Sequence, residues 1–170
     1  VDLHIHYRSD REIVAEAGPL FFRVVNGVET DQAAVDRLVM VLDQLLERRP
    51  TVGMIAIIEH GTPTPTPEIR QRVDTELRRY GDRLVVGYAL LGLGFWAFDA
   101  NEFAASRAAN TDAPVFAERS VAKLAGRMAA ELIGLDADAV ARSCEQLRAS
   151  LGLVAASEAA MDAAAQAAAQ

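Results

Sequence analysis

This chain is short of the side chains that most often carry chemistry: its 170 residues hold one cysteine, one lysine, one tryptophan and three histidines. A lone Cys144 excludes an internal disulfide framework, and its apolar neighbours on an expected helix point to a reduced, packed thiol. Basic residues form no block. The 17 Lys and Arg are mixed among 24 Asp and Glu, for a net charge of -7, which argues against nucleic acid as a partner. No charged-then-apolar leader opens the sequence, and the longest apolar runs, such as residues 84–91, are far too short to cross a bilayer. A soluble, cytoplasmic protein without membrane insertion is the expectation.

What is present is a core. With 51% hydrophobic residues the chain can bury one domain of ordinary size plus an appendage. Val1, Leu3, Ile5 and Tyr7 alternate with Asp2, His4 and His6, the period of a half-buried strand or of an added extension, covering residues 1–10. Two apolar runs joined by Gly18 and Pro19 predict a hairpin. Thr30 is expected to cap a long helix striped by Ala34, Val35, Leu38, Val41, Leu42, Leu45 and Leu46.

Residues 52–70, VGMIAIIEHGTPTPTPEIR, form the most informative stretch. A strand apolar on both faces runs into a Thr/Pro turn and then a charged helix, with Thr66 as N-cap and Pro67 at the first helical position. Ile69, Val73, Leu77 and Tyr80 predict one narrow packing face. A second buried strand at 84–91 leads through Gly92 and Gly94 into an aromatic helix start, followed by a short run at Val115 and Phe116 and two further helices. The last, over residues 135–154, carries Leu135, Val140, Cys144, Leu147 and Leu151 on one stripe, which either caps an open sheet face or packs on a second subunit as a homodimer. Residues 155–170 are an alanine-rich tail.

The order of elements, with a helix ending in Arg48, Arg49 and Pro50, a buried strand, a Pro-rich turn and a later strand ending in GLGFWA, resembles the STAS or SpoIIAA-like domains. The resemblance covers about residues 11–134. It implies an α/β fold, a mixed sheet of four to five strands with helices mainly on one face, here followed by the C-terminal helix. It further implies a non-enzymatic regulatory module that binds a protein partner and needs no cofactor, with a phosphoacceptor position falling on the turn that holds Thr62, Thr64 and Thr66. The chain departs from the family there, since Glu59, His60 and Gly61 replace an Asp-Ser pair.

Three constellations point to other chemistry. Asp2, His4 and His6 have the spacing that puts two imidazoles on one strand face, and His60 closes a later strand, so a metal-dependent hydrolase is one alternative. The site would need more ligands than three histidines supply. Gly92, Gly94 and Ala97 match a dinucleotide fingerprint, with Asp112 downstream, but Phe95 and Trp96 would crowd a pyrophosphate and the motif does not follow the first strand. Phe95, Trp96, Phe98 and Phe103 cannot all be buried by one helix face, which raises a second alternative, a binder of a small apolar or lipid-like ligand. The preferred contact surface is therefore Thr62, Thr64 and Thr66 together with Gly92, Gly94, Phe95 and Trp96, at the carboxyl ends of neighbouring strands.

Overall fold

A computed structural model describes residues 2–91 and 100–153. Among these residues six strands form one mixed sheet in sequence order: β1 (His4–Arg8), β2 (Glu12–Ala17), β3 (Leu20–Val25), β4 (Val52–Glu59), β5 (Leu84–Leu91) and β6 (Val115–Glu118). The first three are antiparallel neighbours and β3 to β6 run parallel. β1 carries a bulge between Ile5 and Tyr7. The parallel strands are joined through α1 (Gln32–Arg48), α2 (Pro67–Tyr80) and α3 (Ala100–Ala108), and α4 (Val121–Glu131) and α5 (Ala137–Ser150) follow β6.

The period-two alternation of the strands divides the core in two. Phe21, Met54, Val86, Tyr88 and Leu90 pack with Leu38, Leu42 and Leu45 of α1 and with Ile69, Val73 and Leu77 of α2, and Phe103 of α3 joins the same layer. Ile13, Phe22, Val24, Ile55, Ile57 and Ala89 face the other way, onto Leu124 and Met128 of α4 and Val140, Cys144 and Leu147 of α5. The expected four to five strands are thus six, because the N-terminal alternation is a true edge strand. The expected placement of helices mainly on one face holds for α1 to α3 alone. Both faces of the sheet are apolar, so α4 and α5 must cover the second, and the stripe of α5 is used inside the chain.

α4 approaches the sheet over two glycines. A Cβ on Gly53 would lie 2.5 Å from Leu132 Cδ1 and 2.6 Å from Leu20 Cδ2, and one on Gly87 would lie 2.7 Å from Leu124 Cδ1 and 2.8 Å from Met128 Sδ. Their missing side chains leave a trough into which Leu124 and Met128 descend.

The long helix α1 is capped by Asp31, whose carboxylate accepts from Ala34 N–H at 2.8 Å, and not by Thr30, which is buried as an acceptor for Arg23. At its other end Arg83 donates to the carbonyls of Leu46, Arg49 and Pro50, satisfying the acceptors that a helix terminus leaves open. Arg72 and Arg79 of α2 pair with Asp36 and Asp43 of α1 along the outer surface. No helix among the described residues is long and apolar enough to cross a membrane.

Gly87→Ala should lower unfolding free energy by about 1–3 kcal/mol in a denaturant titration, because Leu124 and Met128 have to move. Burial pushes the Cys144 thiol up to about 12, with Glu145 adding to the effect, so an alkylating reagent at neutral pH should modify it only after unfolding.

Candidate functional site

β3, β4 and β5 end together. Val25 is level with Ile58, and Glu59 with Leu91, so the strands finish side by side at the carboxyl end, where open α/β sheets bind ligands. After Glu59 the chain reverses through His60 and Gly61. Gly61 takes the left-handed conformation, with φ 77°, and Thr62 N–H closes the turn on Glu59 O at 3.2 Å.

This turn carries Thr62 into the gap between two connections. Its hydroxyl donates to Val25 O at 3.2 Å and accepts from Gly27 N–H at 2.9 Å, and the residue is buried. Thr62 therefore fastens the β4 connection to the β3 connection. Thr66 is half-buried and accepts from Ile69 N–H at 3.4 Å as the N-cap of α2, as its sequence position suggests. Between them Pro65 is buried while Pro63 and Thr64 are exposed. Of the three threonines, Thr64 is the one whose surroundings leave it open to another molecule.

Glu59 is committed to the fold as well. It ends β4 on the face covered by α5, where Arg148 donates Nε to one carboxylate oxygen and Nη2 to the other, and gives Nη1 to Glu145 at 2.8 Å. Arg148 is 3% and Glu59 7% exposed. Burial opposes the charged guanidinium, but the bonds and charges of Glu59 and Glu145 outweigh it and raise its pKa. A second buried cluster joins β2, β3 and α1. Glu12 accepts from Arg23 at 2.7 Å and from Arg37 at 2.8 Å, Arg23 also donates to Thr30 at 3.0 Å, and the Arg37 guanidinium lies 4.1 Å from the Tyr7 ring centroid. Arg23 Nη2 and Arg37 Nε are buried there without a protein partner among the described residues, a place for ordered water.

The histidines do not converge. His4 and His6 meet edge-on with centroids 4.7 Å apart, and His6 Nε2 lies 3.0 Å from Glu16 Oε2. Burial tends to raise the Glu16 pKa, but bonds from Arg48 and His6 outweigh it and hold the carboxyl below its ordinary range. Strand register separates this cluster from His60. His4 is level with Glu16, Glu16 with Phe21 and Phe21 with Met54, three strands across and six positions back along β4, an offset on the order of 20 Å or more. The proposed set of Asp2, His4, His6 and His60 is therefore not one metal site, because period two brought the first two imidazoles together at the wrong end of the sheet. Among the described residues no group of three His, Cys, Asp or Glu is placed to hold a metal ion.

Gly92, Gly94, Phe95, Trp96, Ala97 and Phe98 lie outside the described residues. Asp112 is exposed ahead of β6. Phe103 packs edge-on against Tyr88 with centroids 4.9 Å apart and so belongs to the core layer. The sequence reading missed both buried ionic clusters. Arg23, alone among the apolar residues of LFFRVV, and Glu59, at the end of an apolar run, were the available signals. Strand alternation places each on a covered face, where a charge requires a partner.

No protein-family model matches the chain, and neither a curated protein nor a solved structure does.

Removing one member of the α5 pair should be costly. Arg148→Met is expected to destabilise by about 3–5 kcal/mol, and the double change with Glu59→Leu to recover much of that loss in the same equilibrium unfolding measurement.

Proposed function

We propose that this protein is a non-enzymatic interaction module of the STAS-like kind, meeting a protein partner at the carboxyl-end corner. The observation that carries this reading is the use of the corner's polar side chains. Thr62 and Glu59, which occupy the positions where an α/β enzyme would place reactive groups, are bound into the scaffold by Val25, Gly27 and Arg148. What is left facing outward is a lone imidazole, His60, beside Gly61, and a short rigid tip, Pro63 and Thr64, held between a buried tie and a helix cap. Such a tip loses little conformational freedom when a partner covers it. The common face of α1, α2 and α3 also agrees with the family resemblance, while Trp96 is included in the contact surface on sequence grounds alone.

Regulation by phosphorylation, if it operates at this turn, falls on Thr64. A phosphate there would stand just ahead of the positive end of α2, where Pro67 has no N–H and the Ile69 N–H is taken by Thr66.

A photo-crosslinking residue installed at Thr64 in the protein's own cells should give a discrete protein adduct, and one at Trp96 the same adduct. The exposed Ala149 on α5 serves as background. Adducts at Thr64 no stronger than at Ala149 would overturn the reading. In parallel, Thr62→Val should cost about 1–2 kcal/mol of stability, whereas Thr64→Val should leave stability unchanged and weaken the adduct formed by the crosslinking residue at Trp96.

A further inference from the structure

A groove lies beside this corner, between α2 and the region of α3. α2 presents Pro67, Arg70, Gln71, Asp74, Thr75 and Arg78 along one stripe, and α3 with the turn that follows it presents Phe103, Ser106, Arg107 and Asn110 along another. Each set repeats every three or four residues, so the two stripes face each other as the walls of one groove of about 400 Å³.

The charges in this groove divide cleanly. Arg107 is buried and pairs with Asp74, and it also donates to Arg70 O at 3.4 Å, so it holds the walls together. Arg70 and Arg78 are exposed and pair with no carboxylate among the described residues, although Arg78 Nε donates to Asn110 O at 3.1 Å. Two open guanidiniums, eight residues or about 12 Å apart along the helix axis, therefore stand in a groove of a protein whose net charge is -7. Elsewhere on α2 the arginines are occupied: Arg72 by Asp36, and Arg79 by Asp43 and Glu76. On α2 the open positive charges are therefore those of the groove.

We infer that the α2–α3 groove binds an acidic segment of a protein partner, with Arg70 and Arg78 each receiving a carboxylate. The inference rests on the interaction-module reading and extends it, because the groove begins at Pro67, directly after the Thr64 to Thr66 turn. A partner seated on the turn continues naturally along the groove. Gln71 and Ser106 supply neutral donors and acceptors for its backbone, and Thr75 and Asn110, whose own donors are used within the chain, supply acceptor oxygens. Guanidiniums favour carboxylates by two-point bonding, and exposed pairs of this kind govern approach and specificity.

The test is fluorescence anisotropy of purified protein with a short fluorescein-labelled peptide of alternating Glu and Ser, against the same peptide with Lys in place of Glu. The acidic peptide should bind and the lysine peptide should not, with affinity falling as salt is raised. Arg70→Glu combined with Arg78→Glu should weaken binding at least about fivefold. The equally large charge change Arg49→Glu with Arg142→Glu, at exposed sites outside the groove, should leave it within about twofold.

Equal binding of the two peptides, equal loss in the control variant, or unchanged binding in the groove variant would overturn the inference. So would displacement of the peptide by inorganic phosphate at constant ionic strength, which would assign the groove to a small anion. Crosslinking at Thr64 and peptide binding are read on separate preparations, so the groove and the corner can fail independently.

Discussion

Parallel strands added one after another in a single direction, through crossovers of a single hand, put every crossover helix on the same face of the sheet. That constraint governs β3 to β6 and sends α1, α2 and α3 to one side. The other side is as apolar as the first, with Ile13, Phe22, Ile55 and Ile57 fully enclosed, and no crossover is available to cover it. The chain solves this after the last strand. α4 turns back from the β6 edge across β5 and β4, and α5 continues to β3. Gly87 and Gly53 are on the path of α4 and set how deeply it can sit.

Buried charge then fixes the layers against one another. Arg148 reaches from α5 to Glu59 at the end of β4, while Arg37 reaches from α1 to Glu12 on β2. An ion pair taken out of water contributes little net stability over an apolar contact, but an unpartnered buried charge is severely penalised. A helix displaced by one turn would strand its arginine. These contacts accordingly select a register for each helix, where the surrounding leucines and alanines would tolerate several.

The sequence made the elements legible where period and capping agreed. α1, α2 and β3 to β5 were readable from Leu38 to Leu46, from the Thr66 and Pro67 start, and from short runs apolar on both faces. The two-sided hydrophobicity of residues 52–58 already implied covering layers on both sides, yet α5 could be read equally as a cap or as a subunit contact. Only its position over Val24 and Ala15 separates these, and that depends on how α4 turns back. The site was harder to read for a related reason. A threonine in a loop has the same local sequence whether its hydroxyl faces solvent or, like Thr62, a carbonyl 37 residues away. Long-range pairs such as Glu59 with Arg148 leave only half of their signal at each position.

The sheet is finished at both edges. β6 has only four residues and contacts both α3 and α4, while β1 is broken by its bulge and carries Arg8, whose guanidinium reaches across to Ser150 O at 2.7 Å. A flat, continuous edge would offer its backbone to any extended chain, and a bulged, charged or very short one resists that pairing. Growth by strand addition is thereby discouraged on either flank, so association is left to side chains, which can discriminate among partners in a way that backbone pairing does not.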